Sequence, residues 1–570
     1  MHKRLVFTAA FAAIGATFNV AAQNETPEPF SKEPPLKITS PWAICSGAEW
    51  SGEFPRFNPM LKDAGVRSIR LFNEWQGINP RQGVWNYDTT DKMAADARKN
   101  NMELIGLWCY FSPWTSADGG TRKGPVKDMQ YWRDFVRNTT ARYKNDIRWW
   151  GVWNEFNGSF YNTDGNKVKE YTDLLVAAYD EVKKIDKNIN VGIDVANFDV
   201  GFINSVIQAG GAGKFDYIQV HPYENLGMVM AGEEGSYLSL AGSLRAMLAS
   251  NKQPLTTPLW IAETGIQSAT TPNAEMDKKQ AEAMIKVYVL SIAQGFDRIC
   301  WFEARGPSYG HNTDHGIIRA DWTPRPAYDA LKEMTTILGD TPKYLGWYVV
   351  GKEGFGFLFQ GAKEPVLVAW ASKNGDETMT IGGKEEKFTR FPRFITNVPA
   401  TAVAAIKANK DKPFPWTKDF SKMDTATVRL GAQNMDSGVK QVNEGTTRVV
   451  NDLTETWRVG DHSIRSNEGR YFYFRTEPTF CTFNDSKLEI TFVAKRAKAG
   501  VGAGMNLLYE SITSYKGAGT WHNVTDDWAE YKWTVSDASF NGQWGWNFRS
   551  DTNGSGGEIA VKEVRVKKLK

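Results

Sequence analysis

Arg148-Trp149-Trp150-Gly151-Val152-Trp153-Asn154-Glu155 is a short apolar run that closes on a carboxylate. Leu259-Trp260-Ile261-Ala262-Glu263 repeats the design further along the chain. Loop signals follow each run, Phe156-Asn157-Gly158 and Thr264-Gly265. Apolar runs of this length bounded by turn residues read as buried strands. The two glutamates therefore sit at the carboxyl ends of two buried strands.

Outward from these runs, strand and helix patterns alternate from about residue 41 to 337. Candidate strands are Trp42–Ala48, Val66–Trp75, Met102–Tyr110, Arg148–Glu155, Asn190–Phe198, Asp216–Tyr223, Leu259–Gly265 and Asp297–Arg305. Helical stretches between them include Thr89–Asn100, Asp128–Tyr143, Val168–Ile185 and Lys278–Gln294. Eight βα units over roughly 250–300 residues predict an α/β fold, the (β/α)8 TIM barrel. A doubly wound open sheet is the competing fold, but no Gly-rich phosphate loop follows the first strand. The predicted strand ends collect polar residues: Glu49, Arg70, Asn73, Glu74, Asn154, Glu155, His221, Tyr223, Glu263 and Glu303. In a barrel of this type the active site lies at that face.

At 570 residues the chain is multidomain. Residues 1–22 read as a signal peptide, with His2-Lys3-Arg4, an apolar stretch from Leu5 to Val20 and small residues before the cut. That implies a secreted or periplasmic protein. Residues 23–40 form a linker, and 41–337 the barrel. Residues 338–418 read as a small β accessory domain with strands at Phe355–Phe359 and Val366–Ala371. Residues 419–570 read as a β-sandwich of jelly-roll type, with strands at Leu488–Ala494 and Ile559–Val566.

The net charge of +3 gives no argument for a nucleic-acid partner, and past the N-terminus no apolar run is long enough for membrane insertion. Cys45, Cys109, Cys300 and Cys481 are too scattered for a disulfide framework or a metal site. Cys45 and Cys300 fall on neighbouring strands if the barrel closes, and free buried thiols are expected there. The 22 Trp, 20 Tyr and 31 Phe are an excess. Flat sugar faces stack on exposed rings, so this favours a carbohydrate protein.

With these residues placed, the chain resembles clan A of the glycoside hydrolases over roughly residues 41–400. The resemblance is to families thirty-nine and five alike. Glu155 ends the fourth predicted strand and Glu263 the seventh, where that clan carries its acid/base and nucleophile. Trp153-Asn154-Glu155 is similar to the clan's Asn-Glu motif, and Ile261-Ala262-Glu263-Thr264-Gly265 to its nucleophile motif. His221-Pro222-Tyr223 resembles its His-x-Tyr. Arg70, Trp301 and the run Gly316–Tyr328 also fit. One departure stands out. Some family-five members carry a histidine near the end of strand three, where this chain has Trp108-Cys109-Tyr110, with Trp114 soon after.

The resemblance implies a retaining β-glycosidase acting on a polysaccharide or oligosaccharide without cofactor or metal. Glu155 must carry a proton for the leaving oxygen, and Glu263 must stay ionised to attack the anomeric carbon. Arg70 and Tyr223 are candidate donors to Glu263. Asn154 is the candidate partner of the sugar 2-hydroxyl, and His221 orients the site. Trp301, Trp108 and Trp114 are candidate substrate-binding rings, with barrel packing the other reading for Trp301. His311, Asp314 and His315 read as a solvated loop rather than a metal site. The alternative from another class is a non-catalytic glycan-binding protein on a degenerate barrel. The sandwich resembles carbohydrate-binding modules. A chain ending near Asn409 is expected to keep activity on small soluble substrates.

Overall fold

The computed structural model describes residues 26–569, apart from 48–51, 307–310, 443–446, 451–452, 456–470, 482–485 and 553–556. The predicted signal peptide, Glu49 and the sandwich's Trp457 lie outside the described residues. Eight parallel strands close into a barrel: β1 Trp42–Cys45, β2 Ser68–Arg70, β3 Glu103–Cys109, β4 Ile147–Val152, β5 Asn190–Ala196, β6 Tyr217–His221, β7 Leu259–Thr264 and β8 Arg298–Trp301. Closure runs through β1–β8, with Ala43 opposite Cys300, and through β2–β3, with Ile69 opposite Leu104. The helices used below are α1 Phe54–Asp63, α2 Asp88–Lys99, α3 Met129–Tyr143, α4 Lys167–Ile185, α5 Val200–Val206, α6 Tyr223–Met230, α7 Leu240–Ser250, α8 Ala274–Gln294 and α9 Pro326–Leu338. Side-chain oxygens of Asp128, Asn166 and Asn273 cap α3, α4 and α8. They satisfy backbone N–H groups that have no partner inside the helix.

Period-two alternation sends one side of each strand inward and the other to the helices. Trp149 turns in and packs at a tilt on Trp260 (ring centroids 4.7 Å apart) beside Tyr217, filling the barrel floor. Trp150 turns out and lies flat on Trp108, with ring centroids 4.6 Å apart. Gly106 makes room for that stack, since a Cβ there would sit 2.3 Å from the Trp150 ring. Cys45 and Cys300 are buried free thiols on adjacent strands.

Two further units follow the barrel. Lys343–Val350, Gly354–Gln360, Pro365–Trp370 and Arg393–Ile395 form an antiparallel four-stranded sheet. Phe355, Phe357, Phe359 and Trp370 of this sheet share the barrel's outer core. The buried ammonium of Lys286 on α8 joins the two parts through Glu234, which also accepts from Trp370 Nε1 at 3.1 Å. The C-terminal region is an antiparallel β-sandwich around Phe472, Phe474, Ile490, Phe492, Trp533, Phe548 and Val564. Its strand Ser486–Arg496 lies between Ala529–Ala538 and Ile559–Lys568.

Phe414 and Trp416 belong to the first core, not to a linker. Trp416 packs 4.7 Å from Phe355 and 5.3 Å from Phe357. A chain ending at Asn409 loses both rings. Trp416 is half-buried, so losing it costs less than the ~3–5 kcal/mol of a fully buried Trp→Ala truncation. That cut therefore removes rings packed on the barrel's outer core. The chain ending at Asn409 is expected to melt well below the full chain, by differential scanning calorimetry, while one ending past Lys418 melts closer to it.

Candidate active site

Six of the sequence-predicted residues meet at the C-terminal mouth of the barrel. Strand β4 stops at Val152, and the turn after it puts Trp153 at φ +66° and Glu155 at φ +51°. Two left-handed non-glycine residues in one turn cost conformational energy, and such strain collects at functional carboxylates. The turn delivers Asn154 and Glu155 to the barrel axis. Pro222 ends β6, so Tyr223 is the first residue of α6 rather than the end of a strand.

Glu263 is 6% exposed and has a donor on each oxygen. Arg70 Nη1 lies 2.6 Å from its Oε1, and the Tyr223 hydroxyl donates to its Oε2 at 3.0 Å. His221, fully buried, places Nδ1 2.9 Å from Glu155 Oε1 and 3.9 Å from Glu263 Oε2. Asn154 accepts from Arg70 Nη2 at 3.3 Å and donates to the Tyr110 hydroxyl at 3.0 Å. Both ends of its amide are thus engaged before any sugar arrives.

Asp194, on β5, ties these groups together. Its Oδ2 is 3.0 Å from Arg70 Nη2 and 3.3 Å from His221 Nε2, and its Oδ1 accepts from the Glu155 backbone N–H at 3.1 Å. Burial pulls the His221 imidazole toward neutrality. The charges of Asp194 and Glu263, with hydrogen bonds to Asp194 and Glu155, outweigh it and raise His221 to about 10. Burial raises the carboxyl of Asp194, yet His221 and Arg70 bring it below its ordinary value. Asp194 was not among the sequence candidates. Its signal is a lone carboxylate inside the apolar run Val191-Gly192-Ile193-Asp194-Val195.

The aromatic candidates fare differently. Trp108 is 0% exposed, faces the helices and donates its Nε1–H to Thr139 on α3 at 2.9 Å. It touches no substrate space, which corrects the expectation. Trp301 is also 0% exposed, its Nε1 directed to the His315 carbonyl at 3.4 Å, so it packs rather than offering an open face. Trp114 is half-buried against Tyr131 and donates to the Asn79 carbonyl at 2.9 Å. Asp314 pairs with Arg325 at 2.5 Å, while His315 stands 6.1 Å from the Tyr223 ring.

Oxygen and nitrogen atoms of Glu155, His221 and Glu263 lie within 4.8 Å of one another. That spacing could hold a cation. However, Arg70 already sits on Glu263 and His221 on Glu155, so an ion would face two positive neighbours.

No family model matches the chain. An endo-1,4-beta-xylanase/feruloyl esterase of Xylanibacter ruminicola is 32% identical over 98 residues, 15% of this chain and 13% of that protein. Endo-1,4-beta-xylanase A of Halalkalibacterium halodurans is 27% identical over 132 residues, 19% and 32% of the two chains. The chain thus spans less than a third of the length of these curated relatives. Among solved structures, a family 39 glycoside hydrolase from the gut symbiont Bacteroides cellulosilyticus WH2 superposes with a TM-score of 0.51 at 18% identity, covering 65% of this chain and 82% of that one. The chain shares the (β/α)8 barrel fold of that structure. Two glutamates at the ends of β4 and β7 occupy the mouth of that barrel.

Proposed function

We propose that this protein is a glycoside hydrolase that cleaves a β-linked polysaccharide or oligosaccharide by double displacement. Glu155 is the acid/base and Glu263 the nucleophile. One observation supports the reading: two carboxyl groups, each with its own partners, bring one oxygen of each to within 4.8 Å. Retaining glycosidases hold their carboxyl groups about 5–5.5 Å apart, whereas inverting ones leave ~6.5–9.5 Å for a water. Arg70 and Tyr223 fix Glu263 for attack on the anomeric carbon. His221 holds Oε1 of Glu155, leaving Oε2 for the leaving oxygen. After the glycosyl-enzyme forms, Glu155 draws a proton from water, which then releases the sugar from Glu263.

Xylan heads the substrates to test, because both curated relatives are named as xylanases. We also propose that residues 1–22 direct export and that the sandwich contacts glycan. The first product seen by NMR is expected to keep the β configuration of the substrate. An inverted first product overturns the double displacement.

A further inference from the structure

The sandwich sits over the ends of β5 and β6, on the face that carries the two glutamates. Asp199, which caps α5, lies beside Ser514 and Gln543 of the sandwich, and Asn204 on the same helix donates to the Ile512 carbonyl at 3.4 Å. Asp199 also accepts from Asn157, two residues past Glu155, at 2.9 Å. On α6, Asn225 donates to the Gly542 carbonyl at 3.2 Å. Further out, Glu233 pairs with Arg475 at 3.3 Å and with Lys440. The sandwich is therefore seated beside the Glu155 turn rather than hung from a tether.

Its 540–547 turn is a built feature. Glu510, 3% exposed, accepts from the backbone N–H groups of Asn541 (2.8 Å), Gly542 (2.8 Å) and Gln543 (3.2 Å), and from Asn547 Nδ2 (2.9 Å). A carboxylate with that many donors fixes the turn's shape. Phe540, Trp546 and Asn547 are buried by it, whereas Trp544 is left 42% exposed. The backbone beside Trp544 touches α6: a Cβ on Gly545 would lie 3.0 Å from Met228 Sδ and 4.0 Å from Glu224 Cβ. With its amide turned so that the nitrogen faces Glu224, Asn197 donates to both carboxyl oxygens at 3.1 and 2.9 Å. Burial and the nearby charge of Glu155 raise the carboxyl of Glu224.

We infer that Trp544, with Glu224 and Asn197, forms a subsite for the sugar on the leaving side of the scissile bond, so that the sandwich completes the cleft. The inference rests on the reading of Glu155 as the acid. The leaving sugar must lie against whichever group protonates its oxygen, and the sandwich touches α6 beside Glu224 and reaches Asp199, which binds Asn157 of the Glu155 turn. An exposed indole held on a rigid turn offers a flat apolar face for a pyranose ring. Glu224 and Asn197 offer polar atoms for its hydroxyls.

The test compares two substrates of the same sugar on the full chain. In the glycosyl fluoride the leaving group is a single atom that cannot reach Trp544. In the oligosaccharide it is a sugar. Trp544→Ala is expected to lower kcat/KM on the oligosaccharide about three- to tenfold more than on the fluoride, from the loss of one aromatic stack. Trp544→Tyr is expected to recover most of the difference. An equal fall on both substrates, or no fall on either, overturns the subsite. A second arm needs no turnover. In affinity electrophoresis through xylan and a set of other β-linked polysaccharides, Glu263→Gln protein is expected to be retarded, and Glu263→Gln/Trp544→Ala protein less so. Equal retardation of the two, or none on any polymer, also overturns it. Failure of the wild type to hydrolyse anything counts instead against the glycosidase reading, and the electrophoresis arm still decides the subsite.

Discussion

Glu263→Gln is expected to lower turnover of every substrate by roughly four to six orders of magnitude, the scale of removing a covalent nucleophile. The amide keeps the size of the side chain and can still meet Arg70 and Tyr223. What it loses is the negative charge that the proposed attack on the anomeric carbon needs. A 2-deoxy-2-fluoro glycoside with a good leaving group is expected to label the wild type on the peptide holding Glu263 and to leave the variant unlabelled, by mass spectrometry. Glu155→Ala behaves differently, since it removes proton transfer and not attack. Its effect on natural glycosides is about 10²–10⁴-fold. Dinitrophenyl glycosides, whose leaving groups need little protonation, are expected to suffer far less. Azide is expected to restore part of the rate by entering the space left by the side chain. Equal losses on both kinds of substrate remove Glu155 from the acid role. A label on another carboxylate removes Glu263 from the nucleophile role.

The barrel was legible because its strands are buried on both faces and stand out as apolar runs between turn residues. The same double burial hides which way each side chain points. In Glu103–Cys109 no polar alternation marks the inward side, so Trp108 read as a possible sugar ring, whereas the pleat turns it toward Thr139. Trp301 shares that ambiguity at the end of β8. The six polar residues that meet in the site were legible because a charge or amide closing an apolar run has few structural uses. Asp194 escaped attention since it lies inside its run, not at the end. Tyr223 was read as strand, and Pro222 converts it to the start of a helix. The seating of the sandwich has no sequence signal at all. It depends on Glu510 and the 540–547 turn meeting Asn225 and Met228, residues about three hundred positions away that share no periodicity with them.

Asp194→Asn is expected to cost about 3–5 kcal/mol of stability near neutral pH, the usual penalty for removing one partner from a buried ion pair. Asparagine keeps the shape and one acceptor, so the loss comes from charge. Arg70 is left with Glu263 as its anionic partner, and His221 with Glu155 and, at 3.9 Å, Glu263. The dependence on pH gives the sharper test. His221 is raised in the folded protein to about 10, from an ordinary value of 6.5. A group raised on folding stabilises fully below its unfolded pKa and loses that contribution as pH climbs through the folded one. Wild-type stability from this group therefore declines between about pH 6.5 and about pH 10. Without Asp194, burial, the largest influence on the imidazole, pulls it back toward neutrality. The variant is expected to lose the His221 contribution at lower pH, and the basic limb of kcat/KM is expected to be displaced. Thermal melts from pH 5 to 10 read the first effect and pH–rate profiles the second. Parallel melting curves for the two proteins would show that Asp194 fills space without setting the charge of His221. A displaced basic limb instead places Asp194 as the positioning residue that keeps His221 an imidazolium beside the proposed acid.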